Sequence, residues 1–136
     1  MNSSLIPISI HKVLQSQTYT IVVLGSKETQ FAIYMEPHVG KEIQHYLARS
    51  KNLRPSSHDL IQNILAGSDL KPLQIVISDV EESIYFAKLF LEKKEGDVRT
   101  VLEIDARPSD CLVLALLSNA RMFCEKRVIE KALPYE

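Results

Sequence analysis

The sequence predicts an α+β fold, and three observations carry that reading. Several short stretches alternate apolar and polar residues with a period of two, the spacing of half-buried strands. Longer stretches gather apolar residues on one face at helical spacing, and two of them follow Pro37 and Pro108, a residue suited to the first helical position. The order of these stretches then recurs at an offset of about 70 residues, as in a duplicated unit.

In the first half, Ile6, Ile8 and Ile10 alternate with Pro7, Ser9 and His11. This predicts one half-buried strand, with Pro7 at a sheet edge. Residues 18–24 are β-branched and apolar and predict an interior strand. Gly25, Ser26 and Lys27 form a turn, and residues 30–35 a third strand. Pro37 opens a helix with Val39, Ile43, Tyr46 and Leu47 on one face. Ser56 or Ser57 caps a second helix carrying Leu60, Ile61, Ile64 and Leu65, closed by Gly67.

The second half follows the same order. Leu73, Ile75 and Ile77 alternate as a strand, residues 84–91 form another after a turn at 79–83, and Val98, Thr100, Leu102 and Ile104 alternate after a turn at 94–97. Pro108 opens a helix that is apolar nearly all round, from Cys111 to Leu117. Met122, Phe123 and Cys124 form a short extended link, and the last helix carries Val128, Ile129, Ala132 and Leu133. The predicted architecture is a strand-strand-strand-helix-helix unit, duplicated as halves of about residues 1–68 and 69–136. The halves share one domain around a mixed or antiparallel sheet.

Composition narrows the class. The 136 residues are 46% hydrophobic and 24% charged, enough for a core in one domain. No stretch approaches the ~20 apolar residues that cross a bilayer, and the first eight residues lack the basic lead and apolar block of a signal peptide. The expected setting is the cytoplasm, with Cys111 and Cys124 as reduced thiols. A net charge of −1 lacks the basic footprint of a dedicated nucleic-acid binder. Two local clusters are basic: Lys41, Arg49, Lys51 and Arg54 against Glu42, and Arg121, Lys126, Arg127 and Lys131 against Glu125 and Glu130. They read as solvated helix faces, with a phosphate-facing patch as the alternative. His11, His38 and His45 read as surface or locally hydrogen-bonded histidines. No P-loop, G-x-S-x-G or G-x-G-x-x-G is present.

Two segments concentrate polar chemistry: Arg54-Pro55-Ser56-Ser57-His58-Asp59 and Asp105-Ala106-Arg107-Pro108-Ser109-Asp110. Each sets Arg-Pro, serine and aspartate at a helix start. One reading is scaffolding: Ser56 with Asp59 as a capping box, Asp110 capping its own helix, Arg107 paired with Asp105. The other is a site. Asp59, Asp105 and Asp110 then offer oxygen ligands to Mg²⁺ or Mn²⁺, with His58 as base or orienter. Arg54 and Arg107, with Ser109 beside them, hold phosphate oxygens.

These segments resemble the bifunctional nuclease domain family. Arg54, Pro55, His58, Asp59 and Leu60 match its R-P-x-x-H-D-L stretch. Ile104, Asp105, Arg107, Pro108, Ser109 and Asp110 match I-D-x-R-P-S-D-A, with Cys111 in place of the small residue. Where the family often has a glycine followed by a glutamate in the first helix region, this chain has Glu36 and Val39. The resemblance implies a duplicated α+β fold, self-association and cleavage of DNA or RNA. Two main functions stay open, a metal-dependent nuclease with His58, Asp59, Asp105 and Asp110 as catalytic residues and a non-catalytic oligomeric binding or regulatory module built on the same cluster, with a small-molecule enzyme of unknown class as a third. A homo-oligomer, most simply a dimer, is also predicted from the all-round apolarity of the helix after Pro108 and of the strand at 84–91.

Overall fold

The computed structural model describes residues 5–135; residues 1–4, part of the stretch read as lacking a leader, lie outside that range. The chain changes sheets at Ile8. The predicted single strand is two, β1 (Leu5–Pro7) and β2 (Ser9–Gln15), in different sheets. Ile8 itself is buried between them and donates its N–H to the Met122 carbonyl at 3.0 Å. Pro7 sits on an outer strand, where its missing N–H takes nothing from the ladder.

β2 continues into an antiparallel three-stranded sheet with β3 (Thr20–Gly25) and β4 (Gln30–Met35), in the order β2-β3-β4. The middle strand is buried along nearly all its length, as its unbroken apolar run predicts. The second sheet has five strands in the order β1-β8-β5-β6-β7. Its members are β5 (Lys71–Glu81), β6 (Ile84–Glu95), β7 (Val98–Ala106) and β8 (Arg121–Glu125). β5 and β8 run parallel and the other pairs antiparallel, so this sheet is mixed. The segment read as a short link around Phe123 is strand β8, slotted between β1 and β5. The turn expected over 79–83 tightens to Glu82 and Ser83, both at positive φ (50° and 71°), the pattern of a two-residue hairpin turn.

Four helices lie within the described residues: α1 (Pro37–Leu47), α2 (Ser57–Gly67), α3 (Pro108–Ser118) and α4 (Lys126–Lys131). α4 stops before Ala132 and Leu133, which the sequence placed on it. α3 lies at the centre. It packs on β5, β6 and β8 on one side and meets α1 and α2 on the other, which buries Cys111, Leu112, Val113, Leu114 and Ala115. Its all-round apolarity is therefore answered within this chain. The strand at 84–91 is likewise covered on its Ala87, Leu89 and Leu91 face. The core cluster draws on both halves, from Val22, Phe31 and Ile43 to Ile75, Leu112 and Val128.

The fold is α+β. In each half a three-strand meander leads into a proline-opened helix, β2–β4 into α1 and β5–β7 into α3. The halves then diverge, because β8 separates α3 from α4 and nothing separates α1 from α2 in that way. No helix among the described residues is long and apolar enough to cross a membrane.

Gly40 sets how closely α1 approaches the three-stranded sheet. A Cβ there would lie 2.1 Å from Thr20 Oγ1 and 2.3 Å from its Cγ2. Thr20 is buried and its hydroxyl accepts a hydrogen bond from Gln15 Nε2 at 2.8 Å, so it has little room to move aside. Alanine would normally favour a helix by about 1 kcal/mol over glycine. Here overpacking outweighs that gain: Gly40→Ala should destabilise the fold by roughly 1–3 kcal/mol, read as a lower urea midpoint.

Candidate functional site

Pro55 ends the connector after α1, and Ser56 caps α2. Its hydroxyl accepts from the Asp59 backbone N–H at 3.1 Å, while the Asp59 carboxylate accepts from the Ser56 N–H at 2.9 Å. This is a reciprocal capping box with aspartate in the usual glutamate position. The remaining capacity of Asp59 is also taken up. Asn52 Nδ2 donates to Oδ2 at 2.8 Å and the Tyr46 hydroxyl to Oδ1 at 3.2 Å. The Asn52 bond, followed by that from the Ser56 backbone, holds the Asp59 carboxyl below its ordinary pKa.

The box fixes the start of α2 and so aims the next residue along, His58, inward. Its side chain is only 12% exposed. Nδ1 lies 2.7 Å from Glu42 Oε2 on α1, and Nε2 lies 2.9 Å from Asp110 Oδ1 on α3. A protonated ring donates both bonds. Burial opposes the charge, but the hydrogen bonds to Glu42 and Asp110 outweigh it and raise the His58 pKa. Asp110 shows the same contest with the opposite sign. Burial pushes its carboxyl up, and the bonds from Arg107 and His58 bring it below the usual carboxylate range. Arg107 completes the row with a two-pronged contact, Nε to Asp110 Oδ2 at 2.8 Å and a terminal N–H to Oδ1 at 3.0 Å. Glu42, His58, Asp110 and Arg107 thus form an alternating line of charge across three helices. Arg107 stands at its outer end with 71% of its side chain exposed.

The two polar segments therefore meet, through His58 and Asp110. Arg107 pairs with Asp110, not with Asp105 as the scaffolding reading had it. Asp105 is exposed at the end of β7 and has no hydrogen-bond or ion-pair partner among the described residues. It shares a shallow, open depression with Arg107, Pro108, Asp110, Tyr85 and Phe86. Ser109 is buried in the first turn of α3, and Arg54 is exposed in the connector before α2. Asp59 faces Tyr46, Asn52 and Ser56 on the far side of the α2 start. The three aspartates expected to share Mg²⁺ or Mn²⁺ are thus differently engaged. No group of three or more His, Cys, Asp or Glu side chains among the described residues is placed to hold a metal ion.

Sequence reasoning missed Glu42, which it counted only as the lone acid in a basic stretch. No local motif marks it; only the packing of α1 on α3 brings it to His58. A second hollow lies elsewhere, lined by Tyr34, Glu82, Tyr85, Lys131 and Tyr135. Its lysine is held by Asp79 and Glu81, and none of the charged helix cluster reaches it. His11 hydrogen-bonds the Gly25 carbonyl at 3.0 Å and His45 packs edge-on to Tyr46.

Comparison with known proteins adds one family and two relatives. The family model described as the bifunctional nuclease domain matches residues 22–135. Two uncharacterized proteins of Mycobacterium tuberculosis, MT1877 of strain CDC 1551 and Rv1829 of strain H37Rv, are each 32% identical to this chain over 81 residues. The matched stretch is 58% of this chain and 44% of each relative, so the chain spans less than half the length of the curated relatives it matches.

The charge line makes stability depend on pH. The folded-state pKa of His58 is raised, so its contribution is complete below the unfolded value of about 6.5 and is lost as pH rises through the folded one. Asp110 is lowered, so its contribution is present above about pH 3.9 and is lost as pH falls through its folded value. Urea unfolding should therefore show stability declining on the alkaline side of about pH 6.5. His58→Gln should flatten that decline and lower stability at pH 6 by roughly 1–3 kcal/mol, since two carboxylates lose their donor. Parallel pH profiles for the two proteins would show that the ring does not titrate in this way.

Proposed function

We propose a nuclease reading that starts from one premise: this chain belongs to the bifunctional nuclease domain family. The reaction is hydrolysis of a phosphodiester bond in DNA or RNA, and the depression beside Arg107 is where it takes place. One observation carries the reading. A proton-holding imidazole, fixed between two carboxylates, connects through Asp110 and Arg107 to an open surface that also presents Asp105.

Each group has a role suited to its surroundings. Arg107, anchored by Asp110, turns its exposed edge to a phosphate oxygen. Asp105, exposed and without a hydrogen-bond or ion-pair partner among the described residues, takes a proton from the attacking water. As the water oxygen bonds to phosphorus, the bond to the leaving sugar oxygen breaks. That oxygen receives a proton supplied by His58 by way of Asp110, and Glu42 holds the ring in place meanwhile. Exposed Lys41, Arg49, Lys51 and Arg54 supply local positive charge for the rest of a nucleic acid in a chain of net charge −1. Ser109 and Asp59 serve the geometry, one within the first turn of α3 and the other in the α2 cap. A divalent cation enters as a reagent to be tested.

A second reading has its own support. Both nitrogens of His58 and both oxygens of Asp59 are already engaged inside the chain, as expected of a scaffold in a binding or regulatory module. Labelled single- and double-stranded DNA and RNA, incubated with purified protein plus Mg²⁺, Mn²⁺ or EDTA, separate the two. The nuclease reading expects cleavage that falls by roughly 100-fold or more in Asp105→Asn and in His58→Gln, the scale of a lost acid or base. Arg107→Ala should chiefly raise the KM. Cleavage that persists unchanged in Asp105→Asn would sink the reading, and its absence under all three conditions would favour the scaffold.

A further inference from the structure

The second hollow is walled by the β5–β6 hairpin, β4 and residues 131–135, and its volume is about 460 Å³. That lies within the ~300–1,000 Å³ of pockets that take small organic groups. Three aromatic rings line it, from Tyr34 on β4, Tyr85 on β6 and Tyr135. Each is braced from within the chain. Tyr34 leans on Tyr19 with ring centres 5.5 Å apart, Tyr85 stacks on Phe31 at 5.6 Å, and Lys12 Nζ sits 5.0 Å from the centre of the Tyr135 ring. The Tyr135 N–H is also donated to the Gln30 carbonyl at 2.8 Å. Rings held in this way lose little freedom when a ligand stacks on them. Tyr34 is still 66% exposed, so surface remains for that ligand to cover.

Charge decides what part of a ligand fits. Lys131 is the one cation among the described lining residues, and Asp79 and Glu81 already hold it. Glu82 beside them has no hydrogen-bond or ion-pair partner among the described residues. A phosphate would meet carboxylates here and no free cation. A flat, uncharged ring would meet aromatic side chains, with Glu82 to accept from its N–H groups. The depression at the end of β7 has the opposite character, because Arg107 stands exposed in it. Tyr85 lines both, so the two adjoin.

We propose that the hollow takes an unstacked nucleobase of single-stranded DNA or RNA while a neighbouring phosphate of the same strand lies at Arg107. Tyr85 is then the wall between base and phosphate. The identity of the ligand rests on the nuclease reading; the aromatic and acidic lining does not. Paired bases in a duplex are stacked on one another and cannot enter, so the hollow selects single strands. Stacking also supplies affinity that a chain of net charge −1 lacks from electrostatics alone.

The test is fluorescence anisotropy of a short labelled DNA, in EDTA so that metal-dependent cleavage does not contribute. The single strand should bind more tightly than the same strand annealed into a duplex. Tyr34→Ala should weaken single-strand binding by roughly 5- to 150-fold, the scale of one lost base stack, with an unchanged far-UV spectrum because the side chain is exposed. Tyr34→Phe keeps the ring and should bind as wild type. A fully abasic strand keeps the phosphates and lacks the bases, and on it Tyr34→Ala should cost nothing. The proposal is overturned if single strand and duplex bind alike, if no strand binds, if Tyr34→Ala binds as wild type, or if its loss persists on the abasic strand. The cleavage assay fails separately. Binding that depends on Tyr34 without any cleavage would keep the base site and sink the nuclease chemistry, and cleavage lost in Asp105→Asn without any dependence on Tyr34 would do the reverse.

Discussion

His58 commits both ring nitrogens to carboxylates carried by two other helices, and much of the arrangement around it depends on that commitment. α2 has no fully buried residue, so little apolar packing holds it in place. Its start is fixed by polar bonds instead: the capping box, the Tyr46 and Asn52 contacts to Asp59, and the imidazole bridging Glu42 and Asp110. A single histidine can join three helices in this way only while it is protonated, because only then do both nitrogens donate. The carboxylates keep it so despite burial, and the ring in turn lowers Asp110.

The same line explains why Arg107 points where it does. An arginine at a helix start is poorly placed with respect to the helix dipole. Asp110, one turn on in the same helix, compensates by grasping the guanidinium at two points. Since Asp110 is itself steadied by His58, the orientation of an exposed side chain on α3 is set by a partly buried ring on α2 and a carboxylate on α1. Substitutions at Glu42 should therefore be felt at Arg107, although the two residues do not touch.

Local chemistry made much of the fold legible in the sequence. Pro37 and Pro108 marked the first turns of α1 and α3, the spacing of Ser56 and Asp59 marked a capping box, and the alternation from Val98 to Ile104 marked β7. What stayed hidden needed long-range partners. Alternation at Ile6, Ile8 and Ile10 looks like one strand because the pattern continues through the switch, and only pairing with β8 and β3 divides it. β8 is five residues long and pairs in parallel with β5, a contact without a local signal. At the candidate site, His58, Asp105, Arg107 and Asp110 carried enough polar character to be noticed. Asp59 carried just as much, and its capping and catalytic readings look identical until the surrounding donors are known. Glu42 carried none, because a glutamate on an exposed helix face is ordinary.

The α3 helix shows how an apolar pattern can be read correctly and its cover assigned wrongly. Its burial demanded neighbours on every side, and α1, α2 and the mixed sheet provide them.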